Sequence, residues 1–188
     1  PKQPVIIEKV NIINKGGVKV PYFTEEMGKL EKEKKEKEER VNKVAASQAE
    51  ELNALRAKAD SLPSGDKIYF NEKGTRPQPK QGDKILMNYA GYLADGHMFD
   101  SKILSKAEKI EMVDEMRKAA GQYTPVQTDD STEAQLIAGL REGLLIMKVA
   151  DKETVFILVN LAEGKRGIRG LIPSDSELIF NCGFYTFK

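Results

Sequence analysis

The stretch GDKILMNYAGYLADGHMFDS, residues 82–101, decides the fold that we expect for this chain. Its first half alternates in polarity, and one face of the resulting strand would carry Ile85, Met87, Tyr89, Gly91 and Leu93. The pair Asp95-Gly96 then favours a two-residue hairpin turn. The stretch therefore predicts two antiparallel strands, with one largely apolar face that another element must cover.

Elements on either side extend this hairpin into an antiparallel sheet accompanied by helices. Short apolar runs predict further strands at residues 67–71, 153–160 and 176–187. Helical spacing of apolar residues predicts helices at residues 103–120 and 134–147. This order of elements favours an α+β domain in residues 66–188.

A long charged helix is predicted over residues 24–62, upstream of the sheet. Thr24 is a residue type that caps helices, and no proline follows it until Pro63. Lysine and glutamate side chains four residues apart recur along residues 29–43, which stabilises a solvated helix.

The apolar positions in the second half of this helix leave two interpretations open. Val41, Leu55 and Leu62 share one heptad phase, but Gln48 interrupts it. In one interpretation a homodimer forms through a coiled coil of residues 41–62. In the other the helix is a spacer that packs its leucine face on the neighbouring domain.

Residues 1–23 are predicted to be a β-like leader. The run VIIEKVNIINKGGVKV, residues 5–20, contains β-branched residues and a Gly16-Gly17 turn signal. A hairpin of this length is not stable alone. We therefore expect residues 5–20 to be the edge of a larger N-terminal domain.

Composition excludes several classes of function. The formal net charge of +1 predicts no basic surface for nucleic acid, and no apolar stretch reaches the length of a membrane span. Cys182 is the only cysteine and His97 the only histidine, so no zinc site of these residue types can form. Neither a metal nor a cofactor is expected. The cysteine usage leaves a bacterial cytoplasm and a periplasm or cell envelope open as compartments.

Three segments together resemble the FKBP-type peptidyl-prolyl cis-trans isomerases. They are residues 82–101, the segment LIAGLREGLLIMKVADKETVFI at 136–157, and the segment GLIPSDSELIFNCGF at 170–184. The part after Phe99, with its helix and GQYTP, is similar to FKBP-type domains of Bacteroidetes-like bacteria, and residues 5–17 resemble the last strand of a cyclophilin. The resemblance implies an antiparallel half-barrel wrapped around a short helix, preceded by the long charged helix.

The resemblance also implies a proline pocket between that helix and the sheet. Its catalytic residues would be Tyr89, Phe99, Asp100, Ile137 and Phe180. Its substrate-binding residues would be Leu136, Leu140, Ala162, Glu163, Ile172 and Val126. Because Asp100 would lie among apolar neighbours, we expect it to be hydrogen-bonded or to have a raised pKa.

The chain departs from the family pattern at several pocket positions. Leu140 stands where the family usually has a tryptophan, Glu163 where it usually has a tyrosine, and Ser174 where it has a second proline. The helix of residues 103–120 replaces a short bulge at the rim. The missing tyrosine predicts weaker ligand binding.

The activity implied is rotation of X-Pro bonds in proline-containing client polypeptides, which would assist their folding. One alternative is a non-catalytic binding or chaperone module for proline-containing partners, dimerised or spaced by the N-terminal helix. Another makes the helix the functional part, as a structural spacer in an envelope assembly.

Overall fold

The computed structural model describes residues 23–80, 82–129 and 136–186. The predicted leader therefore lies outside the described residues, except for Phe23. Contacts between residues divide the chain into two units, residues 1–37 and residues 38–188. In the first unit, residues 23–37 are helical, and exposed ion pairs join residues three or four positions apart.

The structure contains the predicted strands in the expected order and adds two short strands that were not predicted, Asp60–Ser61 and Val126–Asp129. The first helix, α1, spans Phe23–Arg56. The strands are β1 Asp60–Ser61, β2 Lys67–Glu72, β3 Lys84–Leu93, β4 Met98–Ser101, β5 Val126–Asp129, β6 Lys152–Ile157 and β7 Leu178–Thr186. The other helices are α2 Leu104–Lys109, α3 Glu115–Ala119 and α4 Ala138–Leu144, with a 3-10 turn at Val159–Leu161.

Within the described residues, seven strands form one sheet in the order β1-β2-β6-β7-β3-β4, and β5 pairs with β3. All the pairings are antiparallel. The α+β class, the antiparallel sheet and the long N-terminal helix are thereby confirmed. Strand β3 contacts three other strands, which explains why its alternating sequence decides the fold.

The sheet has a buried cluster on each face. On one face, which we call the concave face, Met87 and Val155 pack with Leu144 of α4. On the other, the convex face, Tyr92 and Ile179 pack with Leu52 of α1. The helix approaches closely because Gly96 of the β3–β4 turn has no side chain, and a Cβ there would collide with the backbone of Ala45.

Helix α1 ends at Arg56, earlier than the predicted end at residue 62. Asp60 and Ser61 instead pair with β2, so these residues extend the sheet and not the helix. Leu62 precedes a proline, which disfavours helical backbone, and its side chain is buried in the concave cluster.

The single helix predicted over residues 103–120 is wrong, because the structure has two short helices there. Helix α2 is followed by Glu111, whose φ of 54° lies in the left-handed region and stops the helical path. Asp114 then caps α3 by accepting hydrogen bonds from the backbone N–H groups of Met116 and Arg117.

Other boundaries also differ from the sequence prediction, and two of them have a clear physical reason. Within the described residues, the helix predicted from residue 134 begins at Ala138, since Ile137 has an extended ψ of 146°. Strand β6 ends at Ile157 rather than at residue 160, because the next N–H group, that of Leu158, donates to the carboxylate of Asp66 at 2.8 Å instead of to a strand.

Candidate functional site

A cavity of about 280 Å³ opens on the concave face between α4 and the sheet. All of the predicted site residues except Ala162 line it. Ala162 packs against the same apolar cluster without lining the cavity. Residues 103–120, all of them described, contribute nothing to the lining, so the inserted helices leave the cavity open.

Three aromatic rings form one wall. Phe180 of β7 meets Phe99 edge to face at 5.6 Å between ring centroids, and it meets Tyr89 at 5.8 Å. Such arrangements are the favourable ones for aromatic pairs. The rings can lie this close to β3 because a Cβ at Gly91 would come within 2.5 Å of Phe99 and 3.1 Å of Phe180.

A β-bulge aims two consecutive residues at this cavity. Gly91 pairs with Asp100 and Tyr92 pairs with Met98, so Phe99 is an extra residue in β4. In a regular strand Phe99 and Asp100 would point to opposite faces. The bulge removes that alternation locally, and both side chains line the cavity.

Asp100 is fixed by three hydrogen bonds at the edge of the cavity. Its carboxylate accepts from the Tyr89 hydroxyl at 2.5 Å, from the Arg117 guanidinium at 2.9 Å and from the Ser101 N–H at 2.8 Å. The Arg117 guanidinium also lies 4.9 Å from the centroid of the Tyr123 ring. The expectation that Asp100 has partners is therefore met by donors from three positions.

These contacts determine the protonation states of the pair. Burial acts to raise the pKa of Asp100, but the hydrogen bonds from Tyr89 and Arg117 and the arginine charge outweigh it, and the pKa is lowered. Burial, with the hydrogen bond to Asp100, raises the pKa of Tyr89. At neutral pH the carboxylate is ionised and the phenol keeps its proton, which it donates to Asp100.

The opposite wall comes from the start of α4 and from the loop after β6. Leu136 and Ile137 precede the helix, and Leu140 lies in its first turn at 4% exposure. The loop contributes Glu163 and Ile172. Val126, at the start of β5, completes the set of predicted lining residues.

Sequence reasoning missed five residues of this site. Met87 and Leu178 line the cavity, and each lies two positions from a predicted residue on its strand, so the alternation would have indicated them. Ile168 and Leu171 also line it, but they lie in an irregular loop that has no period. Arg117 reaches Asp100 from an inserted helix, and no sequence signal connects the two.

The lining limits the chemistry that the cavity can perform. Among the described lining residues there is no serine, cysteine, lysine or histidine to act as a nucleophile or a neutral-pH base. No group of three or more His, Cys, Asp or Glu side chains among the described residues is arranged to hold a metal ion. The cavity can enclose an apolar ring and keep water from it.

A family comparison connects this geometry to a known activity. Residues 75–183 match the family described as FKBP-type peptidyl-prolyl cis-trans isomerase. The chain belongs to this family. Its activity is therefore the cis-trans isomerisation of peptidyl-prolyl bonds, and its substrates are proline-containing polypeptides.

Individual relatives agree with this assignment. The domain is 32% identical to "FK506-binding protein 1A" of Neurospora crassa over 62% of this chain and 81% of the relative. It is 28% identical to the FKBP-type isomerase FkpA of Aeromonas hydrophila over 85% of this chain, a match that spans only 52% of that relative. The solved structure of AtFKBP13 superimposes with a TM-score of 0.54 at 27% identity, over 69% of this chain and 98% of that one.

The FKBP-type domain accounts for residues 75–183 and leaves the whole of α1 outside the family match. Among the described helices, none is both long enough and apolar enough to cross a membrane.

Proposed function

We propose that X-Pro bonds rotate in the concave-face cavity and that the ten predicted residues that line it form this site, with Ala162 packed against the same apolar cluster. The observation that carries the proposal is convergence: side chains from β3, β4, β5, β7, α4 and the loop after β6 meet around one apolar space. The aromatic rings of Tyr89, Phe99 and Phe180 supply a wall of a size suited to a prolyl ring.

The physical chemistry of the reaction suits such a space. Amide resonance gives the bond a rotational barrier of about 18–20 kcal/mol. The twisted transition state loses resonance, and its carbonyl dipole is smaller than that of the planar ground state. Water stabilises the more polar planar form better than the twisted one, so a dry cavity removes that preference. Each ~1.4 kcal/mol of differential stabilisation accelerates rotation about tenfold.

Roles in the cavity follow from residue type and contact. Phe99, Phe180, Ile137 and Leu140 would enclose the prolyl ring. Tyr89 donates its hydroxyl proton to Asp100, so towards a substrate it can offer only an acceptor oxygen. Arg117 would act as a positioning residue, because its guanidinium holds the Asp100 carboxylate.

Two departures from the family pattern would weaken ligand binding without abolishing rotation. Leu140 covers less area than the tryptophan usual at its position, and Glu163 places an acid beside an apolar ligand. One relative is named for FK506 binding, which makes FK506 a suitable probe. We expect weak inhibition by FK506, strengthened in a Glu163→Tyr variant.

For the flanking elements, we propose that residues 38–56 of α1 act as a spacer anchored on the domain. Leu52 is 1% exposed in the convex cluster, and Ala45 is 4% exposed beside Gly96 of the β3–β4 turn, so these apolar side chains of the helix are already covered by the domain. This supports a monomer over a homodimer through residues 41–62. Light scattering at high micromolar concentration tests the choice, and a dimer mass would contradict it.

The function itself is tested by prolyl exchange measurements on several peptides that differ in the residue before proline. Line broadening or exchange spectroscopy by NMR reports catalysed rotation without a coupling protease. We expect catalysed exchange on some or all of them, inhibited by excess FK506. Binding of the peptides without acceleration would favour the non-catalytic binding module instead.

A further inference from the structure

A second open cavity, of about 480 Å³, adjoins the first along the loop after β6. Ile168, Leu171 and Ile172 line both cavities, so the two lie side by side along the same stretch of loop. The remaining lining of the second cavity is Leu93, Arg166, Arg169, Gly170, Pro173 and Ser174. Two arginines and an apolar floor thus lie within reach of any chain whose proline occupies the first cavity.

Both arginines are available to a ligand. Arg166 and Arg169 are exposed, and neither makes a hydrogen bond or an ion pair with another described residue. Of the acids nearby in sequence, Glu163 lines only the first cavity, and Glu177 is paired with Arg56 at 2.7 Å. Asp175 is exposed and follows Ser174, but it does not line the second cavity. The lining of the second cavity therefore carries two positive charges and no negative one.

The backbone holds this part of the loop in one conformation. Ile168 and Ile172 exchange two hydrogen bonds of 2.8 Å, and the Leu171 N–H donates to the Ile168 carbonyl at 2.9 Å. Gly170 takes a φ of 77° in this turn, beside Arg169. Because the turn is closed by the bridge, the backbone from which Arg169 projects is fixed before a ligand arrives.

We propose that the second cavity is a subsite for a carboxylate side chain of the client, so that acidic residues near the proline are preferred. Each residue of an extended chain advances about 3.3–3.6 Å, so an acid up to three residues from the proline lies within roughly 10 Å of it, on the scale of a neighbouring cavity. Guanidinium groups bind carboxylates through paired N–H donors. The inference deepens the proposed function and depends on it.

The test is a ratio of rates measured on matched peptides. The two peptides of each pair differ at one position, which is Glu in one peptide and Gln in the other and lies up to three residues before or after the proline. Catalysed exchange is measured for both peptides at low and at high salt. At one or more positions we expect the Glu peptide to have the higher kcat/KM by about twofold to fivefold, the range of an exposed ion pair. Salt at 0.5 M should bring the ratio towards one.

Variants assign the preference to the two arginines. Arg166→Gln combined with Arg169→Gln should bring the Glu-to-Gln ratio to one, and Arg169→Glu should invert it. Lys165→Gln is the matched control, since this exposed lysine does not line the cavity, and it should keep the ratio. A ratio of one at every position in the wild-type protein, with both peptides accelerated, would overturn the subsite alone. If neither peptide were accelerated, the proposed function would fail as well.

Discussion

The two faces of strand β3 carry similar residues but are completed in different ways. On the concave face Tyr89 borders a cavity of about 280 Å³ that the chain leaves open. On the convex face Tyr92 is 3% exposed, because Leu52 of α1 and Ala107 of α2 fill the space above the strand. The site therefore lies where the chain does not complete its own core.

Leu52→Ala should leave a cavity in the packing on the convex face and produce the largest loss of stability among the variants proposed here. The side chain is 1% exposed, so its truncation should lower the free energy of unfolding by about 2–5 kcal/mol. Urea unfolding measures the change. Leu30→Ala is the control: Leu30 lies on the same helix but is 58% exposed, and its truncation should cost less than about 0.5 kcal/mol. Equal losses in the two variants would contradict the packing of α1 on the sheet.

Glu153→Gln should change the pH dependence of stability, because Glu153 is a buried acid on the same side of the sheet as the open cavity. Glu153 is 1% exposed on β6, beside Gly143 of α4, and neither carboxylate oxygen has a hydrogen-bond partner among the described residues. Burial, with repulsion from Asp151, raises the pKa of Glu153 to about 8. The Cys182 thiol is the titratable group that faces it from β7, and burial raises the pKa of Cys182 as well.

The sign of the pH dependence follows from that shift. Between the ordinary carboxyl pKa and about 8, the folded protein holds a proton that the unfolded chain releases, so stability falls as pH rises. Urea unfolding from pH 5.5 to 8.5 should show a loss of about 1–3 kcal/mol in the wild type, beyond that in Glu153→Gln. Glu50→Gln, at an exposed position of α1, should keep the wild-type slope. Parallel curves for the wild type and Glu153→Gln would contradict the account.

Asp100→Val should have a smaller effect, on activity rather than on stability. It removes the acceptor of the Tyr89 hydroxyl and leaves the Arg117 charge without its carboxylate. We expect kcat/KM for prolyl exchange to fall about tenfold, which corresponds to ~1.4 kcal/mol. Arg117→Met should act in the same direction and less strongly. A folded Asp100→Val variant with full activity would remove this carboxylate from the site.

Much of the fold and site could be predicted because it lies on strands. Alternation assigns Tyr89 to the apolar face of β3, and the Asp95-Gly96 pair marks the hairpin that follows it. The resemblance to FKBP-type isomerases supplied Phe99, Asp100 and Phe180. Sequence alone gives no sign of the bulge that turns Phe99 and Asp100 inward, because a bulge depends on the register between two strands.

The rest depends on competition between distant groups. Residues 57–62 have helical composition, but β2 offers Asp60 and Ser61 strand partners, and the sheet prevails. Ile168 and Leu171 reach the cavity only because a bridge between Ile168 and Ile172 folds the loop over it. Such contacts have no period along the chain, so the pattern of residues could not reveal them.

Whether catalysis belongs to the open face is decided by comparing one residue from each face in a single assay. Phe99→Ala and Leu52→Ala are prepared, and the folded fraction of each is measured by circular dichroism at low temperature. Catalysed prolyl exchange is then measured on one peptide for both variants. Phe99 is only partly buried, so its loss should cost less stability than the roughly 3–5 kcal/mol of a fully buried ring. We expect Phe99→Ala to lower kcat/KM about tenfold to a hundredfold, while folded Leu52→Ala stays within about twofold of the wild type. Wild-type activity in folded Phe99→Ala, or an equal loss in both variants, would contradict the assignment of catalysis to the open face.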